Sequence, residues 1–165
     1  MPYNSMVCAE VERLTKMYKL KAELGTGAFS AVRKLDKSKV VVKLIKARRQ
    51  INGENLEVIL MRRVSDLPGV IKLLEHFSVT GCYCIITEEF KSENLFDFIT
   101  ENGPLCEWLC RVIFKQLLET VIQCHKRGVF HRDVKVANIL INLQSCQIKL
   151  VDFGCGAYSL SLIHI

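Results

Sequence analysis

From Tyr18 onward, short runs rich in β-branched and aromatic residues give way to longer stretches in which apolar positions recur every three or four residues, a mixture of strand and helix signals. Residues 1–17 form a polar lead-in, partly helical around Ala9 to Met17. Leu24-Gly25-Thr26-Gly27-Ala28-Phe29-Ser30-Ala31-Val32 joins two strand-like runs through a glycine turn, and Lys39 to Ile45 reads as a buried strand. Leu56, Ile59, Leu60 and Val64 then fall at helical spacing within Glu54 to Val64, with Asn52 available as the cap. Val70 to Ser78 and Cys82 to Thr87 predict a hairpin turning around Thr80-Gly81. Asn94 to Ile99 reads as a short helix, and Gly103-Pro104 breaks the chain before the clearest helix. Its largely apolar face runs through Leu109, Val112, Ile113, Gln116, Leu117, Thr120, Val121 and Cys124. His125-Lys126-Arg127 supply a basic last turn, and Gly128 is the expected stop. Val129-Phe130 and Ile148 to Val151 are two further β-branched runs, so the fold class expected is α+β.

Composition changes this picture little. The 165 residues suffice for one domain with a sizeable core, and half of them are hydrophobic, as in ordinary globular proteins. The formal net charge of +6 comes from scattered basic residues, with Lys46 to Arg49 the only dense cluster, which reads as solvated surface. No nucleic-acid partner is therefore expected. No run approaches the 18 apolar residues of a membrane helix and no signal peptide is visible, so no membrane partner is expected either. None of the eight cysteines forms a C-x-x-C pair, which favours reduced thiols in a cytoplasmic or nuclear protein. Cys106 and Cys110, at i and i+4, read as packing residues in preference to metal ligands.

The candidate chemistry lies between Val129 and Gly154. Asp133 follows one β-branched run and Asp152 ends another, with Asn138 five residues after the first. Acidic and amide side chains are poor strand formers, so these positions suggest oxygen donors held out at strand ends. A few carboxylates or amides together with phosphate oxygens suit Mg²⁺. Gly25 and Gly27 would let a backbone approach phosphate, although a plain hairpin turn gives the same string. Lys43 sits in apolar company and calls for an acidic partner or an anionic ligand, with Glu57 the best candidate. Taken alone, the two read as a snorkelling edge-strand lysine and a surface glutamate.

His131-Arg132-Asp133 with Asn138, followed fourteen residues after Asn138 by Asp152-Phe153-Gly154, resembles the signature of protein kinases. The resemblance covers Tyr18 to Ala157. It implies a protein-kinase-like fold: an N-terminal antiparallel β-sheet lobe with one helix, and the beginning of a helical C-lobe, incomplete here. It also implies an ATP-dependent serine/threonine protein kinase that uses Mg²⁺ and transfers the γ-phosphoryl group to Ser/Thr hydroxyls of protein substrates. In that pattern Asp133 accepts the hydroxyl proton, Lys135 contacts the transferred phosphate, and Asn138 and Asp152 hold the metal ions. Leu24, Gly25, Thr26, Gly27, Ala28, Phe29, Ser30 and Val32 would form the loop and strands over the nucleotide. Val41, Lys43, Glu57 and Leu140 would line its site, Lys43 pairing with phosphates and with Glu57. Thr87 would be the gatekeeper, Glu88 and Phe90 would meet adenine through their backbone, and Asn94 or Asp97 would lie near the ribose. His131 is expected to be structural, packing near Phe153.

Within that superfamily, Leu95 to Glu101, Gly128-Val129 and Asp152 to Ala157 resemble the Pim kinases, a family associated with cell survival. Ser30 replaces the third loop glycine, which is expected to stiffen the loop, and Val41 replaces the usual alanine where adenine packs. Ala137 and Asn94 leave fewer acidic groups to face a substrate arginine. The domain is expected to span 18–159, with an N-lobe over 18–87, a hinge over 88–91 and the start of a C-lobe over 92–159, as a monomer. Eleven residues follow Gly154, and Leu160 to Ile165 resembles translated sequencing adapter, so 160–165 is taken as a non-native tail. The competing reading is an inactive truncated kinase or pseudokinase that acts only as a nucleotide- or partner-binding module.

Overall fold

A computed structural model describes residues 14–25, 28–33, 35–46, 49–79 and 82–159. Residues 1–13 and the tail 160–165 lie outside them, as do Thr26 and Gly27. The chain forms two compact units, 1–55 with 73–89 and 56–72 with 90–165.

The first unit is built on a five-stranded antiparallel sheet. Its strands are β1 (Tyr18–Gly25), β2 (Ala28–Arg33), β3 (Lys39–Lys46), β6 (Leu73–Val79) and β7 (Cys82–Glu88), in the order β1-β2-β3-β7-β6. Successive side chains in a strand point to opposite faces, and on β3 this sends Val40 and Val42 into the core. There they join Leu14, Tyr18, Ala31, Cys84 and Ile86, with Met17, Leu20 and Phe77 packed at the margin. Residues 14–17 are helical, within the segment where the lead-in is expected to be. The Tyr18 hydroxyl donates to Glu75 at 2.8 Å and the Arg33 guanidinium reaches the same carboxylate at 2.6 Å, tying β1, β2 and β6 together at one end of the core. Burial, and then Glu75, push the Tyr18 hydroxyl pKa above its ordinary value.

Asn52 is not a helix cap. It has φ 52° and Gly53 has φ 80°, the paired left-handed residues of a tight hairpin turn between β4 (Gln50–Ile51) and β5 (Glu54–Asn55). The Tyr83 hydroxyl closes this turn by donating to the Gly53 carbonyl at 2.6 Å. The helix therefore begins at Leu56, two residues later than the start of the predicted segment.

The second unit holds that helix, α1 (Leu56–Val64), with α2 (Leu95–Asn102) and α3 (Glu107–Lys126). Two small sheets accompany them. One runs β11 (Gln147–Leu150), β10 (Ile139–Asn142), β8 (Glu93–Asn94), and the other pairs β9 (Val129–Phe130) with β12 (Ala157–Tyr158). The α3 helix ends at Gly128, whose φ of 70° suits glycine and whose N–H donates to the His125 carbonyl at 2.8 Å. Ile113, Thr120 and Cys124 bury one face of α3, and the Gln116 amide stitches it to β11, donating to Cys146 O at 2.8 Å and accepting from Ile148 N–H at 3.3 Å. A second apolar stripe, Trp108, Phe114, Leu118 and Ile122, is exposed at 43–66%. Cys106 and Cys110 are exposed as well, so the expectation that they pack is corrected. No described helix is long and apolar enough to cross a membrane.

Candidate active site

Strand β9 delivers the chain to His131, and Arg132, with φ 66°, then turns it sharply. A left-handed arginine is uncommon and marks a backbone held by its surroundings. What holds it is visible on both sides. The buried His131 ring lies between its Nε2, 2.9 Å from Val151 O, and its Nδ1, which accepts from Asp133 N–H at 3.3 Å. The ring also meets Phe153 edge-on at 4.7 Å, as expected of a structural histidine. A 3₁₀ turn, Val136–Asn138, then brings Asn138 back beneath the loop. Its amide donates to the Asp133 carbonyl at 2.9 Å and to Asp133 Oδ2 at 3.0 Å.

Asp133 Oδ2 also receives Lys135 Nζ at 2.8 Å. That lysine, followed by the Asn138 hydrogen bond, holds the Asp133 carboxyl below the usual carboxylate range, while Asp133 raises the lysine. The carboxylate thus stays ionised around neutrality, in a half-exposed position from which it can accept a proton. The kinase resemblance implies a contact of Lys135 with a transferred phosphate; in this structure its ammonium lies on Asp133.

The second acidic motif is fastened to the first. Val151 N–H donates to Asn138 O at 3.0 Å, so the residue before Asp152 hangs from the residue that supports Asp133. Asp152 has φ 64° and is exposed, its Oδ1 accepting from Gly154 N–H at 3.2 Å, while Phe153 is fully buried. No group of three or more His, Cys, Asp or Glu side chains arranged for a metal occurs among the described residues. The donor set nevertheless fits Mg²⁺, which needs only one or two protein oxygens beside phosphate and water. Asn138 directs its N–H groups at Asp133, so its side-chain carbonyl oxygen and the Asp152 carboxylate are the hard oxygen donors that the two motifs offer.

Other predicted residues of this unit are placed as follows. Glu57, buried on α1, brings its Oε2 to 3.3 Å from where a β-carbon on Gly154 would stand. Leu140 pairs in register with Asn94 across β10 and β8. The Asn94 side chain caps α2, accepting from Phe96 N–H at 2.9 Å, and donates to Ala137 O at 2.8 Å. That cap is absent from the sequence reading, although Asn94 with an acid three residues on, ahead of an apolar run, carries the signal. Asp97 is exposed in the first turn, and the ring of Phe90 lies 5.4 Å from Lys149 Nζ.

In the first unit the register settles which candidates share a face. Val41 stands opposite Ser30 and Thr87, and Lys43 opposite Ala28 and Ile85. Directly opposed residues lie on the same side of a sheet, so Ala28, Ser30, Val41, Lys43 and Thr87 line the face turned away from the Val40–Val42 core. The expectation of a fully buried strand is corrected accordingly: Val41 and Lys43 are half-buried. Phe29, opposite Val42, falls on the core face. Ser30 Oγ accepts from Ala22 N–H at 3.1 Å and donates to Ala22 O at 3.2 Å, bridging β1 and β2 beside an irregular register. Leu24 is exposed, Val32 and Glu88 are half-buried, and Gly25 ends β1.

The protein kinase domain family matches residues 18–161. Among curated proteins, the serine/threonine-protein kinase prk-2 of Caenorhabditis elegans is 39% identical over 156 residues, covering 87% of this chain. The serine/threonine-protein kinase pim-2 of Danio rerio is 36% identical over 168 residues and 88% of the chain, and SIK1 of Mus musculus 34% identical over 149 residues and 86% of the chain. The chain spans 35%, 54% and 19% of the length of these three relatives.

Proposed function

This chain belongs to the protein kinase family, and from that premise we propose that it carries the phosphoryl-transfer loop of a Pim-like serine/threonine protein kinase acting on Ser/Thr hydroxyls of proteins. The observation that carries the reading is the Asp133 carboxylate between Lys135 Nζ at 2.8 Å and the Asn138 amide at 3.0 Å. In phosphoryl transfer the protein positions groups and neutralises charge, and one carboxylate orients the attacking hydroxyl. Asp133 is assigned that role. Asn138 and the Lys135 ammonium keep its acceptor oxygen aimed, and Lys135, exposed at 53%, is able to turn from Asp133 toward an incoming anion. Asn138 and Asp152 are assigned to hold Mg²⁺, Lys43 to the phosphates of ATP, and Val41 with Leu140 to adenine. ATP supplies the γ-phosphoryl group and Mg²⁺ neutralises its charge. The Pim-like assignment draws on Leu95 to Glu101 and Asp152 to Ala157. A cytoplasmic or nuclear setting is in keeping with seven unpaired cysteines among the described residues.

A second reading, a nucleotide- or partner-binding module without turnover, is favoured by the exposed stripe Trp108, Phe114, Leu118 and Ile122. One experiment separates the two. Transfer from radiolabelled ATP to a Ser/Thr peptide is measured with the chain extended through a complete C-lobe, as wild type and as Asp133→Asn. The kinase reading expects the substitution to lower kcat by about 10²- to 10⁴-fold while ATP binding changes little. Transfer that survives Asp133→Asn unchanged would falsify the assignment of the base, and ATP binding without transfer by the wild-type chain selects the second reading.

A further inference from the structure

In the second unit, α1 meets the segment after Asp152 at three successive points. Glu57 Oε2 lies over Gly154, 3.3 Å from the place of its missing β-carbon. One turn on, Leu60 Cδ1 lies only 2.5 Å from where a β-carbon on Gly156 would be. One turn further, the Arg63 guanidinium sits 4.6 Å from the centre of the Tyr158 ring. Residues 57, 60 and 63 form one stripe of a helix, and they meet in order Gly154 in a turn, Gly156, whose N–H closes that turn by donating to Phe153 O at 2.9 Å, and Tyr158 in β12. The two elements are therefore in register, with glycine wherever the helix comes closest. Beyond this contact the end of the segment is itself anchored: Tyr158 pairs with Val129 in the β9–β12 ladder, and Ser159 N–H donates to Gly128 O at 2.9 Å. The helix end is anchored separately, because Arg127 binds the Asp66 carboxylate through both oxygens and donates to the Arg63 carbonyl at 3.0 Å.

We infer that Arg63 and Tyr158 are positioning residues that latch α1 onto the Gly154–Tyr158 segment and thereby fix the register at which Glu57 is presented. The inference rests on the proposed function for the importance of Glu57, though not for the contact itself. Gly154 and Gly156 permit the approach but give the helix nothing directional to hold. The guanidinium on the aromatic face is the directional contact of the three, and it lies at the helix end that Arg127 also holds through the Arg63 carbonyl.

The test is amide hydrogen exchange on the full chain. Tyr158→Leu keeps an apolar side chain in β12 and removes the aromatic face. It is expected to speed exchange across Leu56–Val64 by about 3- to 30-fold, while the β10–β11 hairpin is unchanged. Tyr158→Phe, which retains the face, should behave as wild type, and Arg63→Met combined with Tyr158→Leu should add nothing to either alone. Unchanged helix exchange in Tyr158→Leu, or Phe as damaging as Leu, overturns the latch. Exchange is read without turnover, so a failed transfer assay alongside latch-dependent exchange refutes only the proposed reaction.

Discussion

Removing the His131 ring offers the sharpest test of how the two acidic motifs are joined. The imidazole is 2% exposed, lies 2.9 Å from Val151 O, accepts Asp133 N–H at 3.3 Å and packs against Phe153 at 4.7 Å. In His131→Ala the half-buried Val151 carbonyl is left without its donor, a loss of about 1–3 kcal/mol, and the longer Asp133 N–H contact adds less. The aromatic contact contributes about 0.5–1.5 kcal/mol beyond simple burial. Together these give an expected destabilisation of about 1.5–4.5 kcal/mol. His131→Phe keeps the ring contact and removes both polar links, so it should cost about 1–2.5 kcal/mol and separate the contributions. Urea unfolding of the full chain and both variants measures the totals, and hydrogen exchange at the Asp133 amide reports the local release. A cost below about 0.5 kcal/mol for His131→Ala, the range of an ordinary surface change, would refute the argument that this ring ties the loop together.

Two further outcomes follow from close contacts and burial. A β-carbon on Gly69 would lie 1.9 Å from Thr120 Oγ1, so Gly69→Ala should destabilise by about 1–3 kcal/mol or more, and Thr120→Ala should relieve part of that in the double variant; urea unfolding showing simply additive costs would contradict the clash. Burial pushes the thiols of Cys84 and Cys124 up to about 12 and about 11, whereas Cys106, Cys110 and Cys155 are exposed. Iodoacetamide at mildly alkaline pH should therefore label the exposed three first, because only the thiolate reacts and the buried pair stays protonated. Mass spectrometry finding Cys84 labelled as fast as Cys106 in the native protein would count against the buried sheet core.

Much of the candidate site was legible because its residues are consecutive or nearly so. From Asp133 to Asn138 the chain makes one loop, and local chain geometry leaves few ways for the Asn138 amide to miss Asp133. Short apolar runs rich in β-branched residues likewise marked the β3 and β7 strands, and a basic turn followed by glycine marked the end of α3. Local strings with two good uses were not legible. Asn52-Gly53 serves a hairpin turn as well as Asn52 serves a cap, and strands of two residues are too short to show alternation.

What sequence alone determined about this protein is the order and spacing of its chemical groups and the local elements that present them, since backbone propensity and side-chain periodicity act over a few residues. What only the tertiary structure decided is which face of each element meets which neighbour. Lys43 shares a sheet face with Ala28 and Thr87, α3 leaves Phe114, Leu118 and Ile122 uncovered, and Gly154, Gly156 and Tyr158 meet Glu57, Leu60 and Arg63. Contacts between residues so far apart along the chain have no signature in either stretch alone, because they depend on how two separately formed surfaces fit.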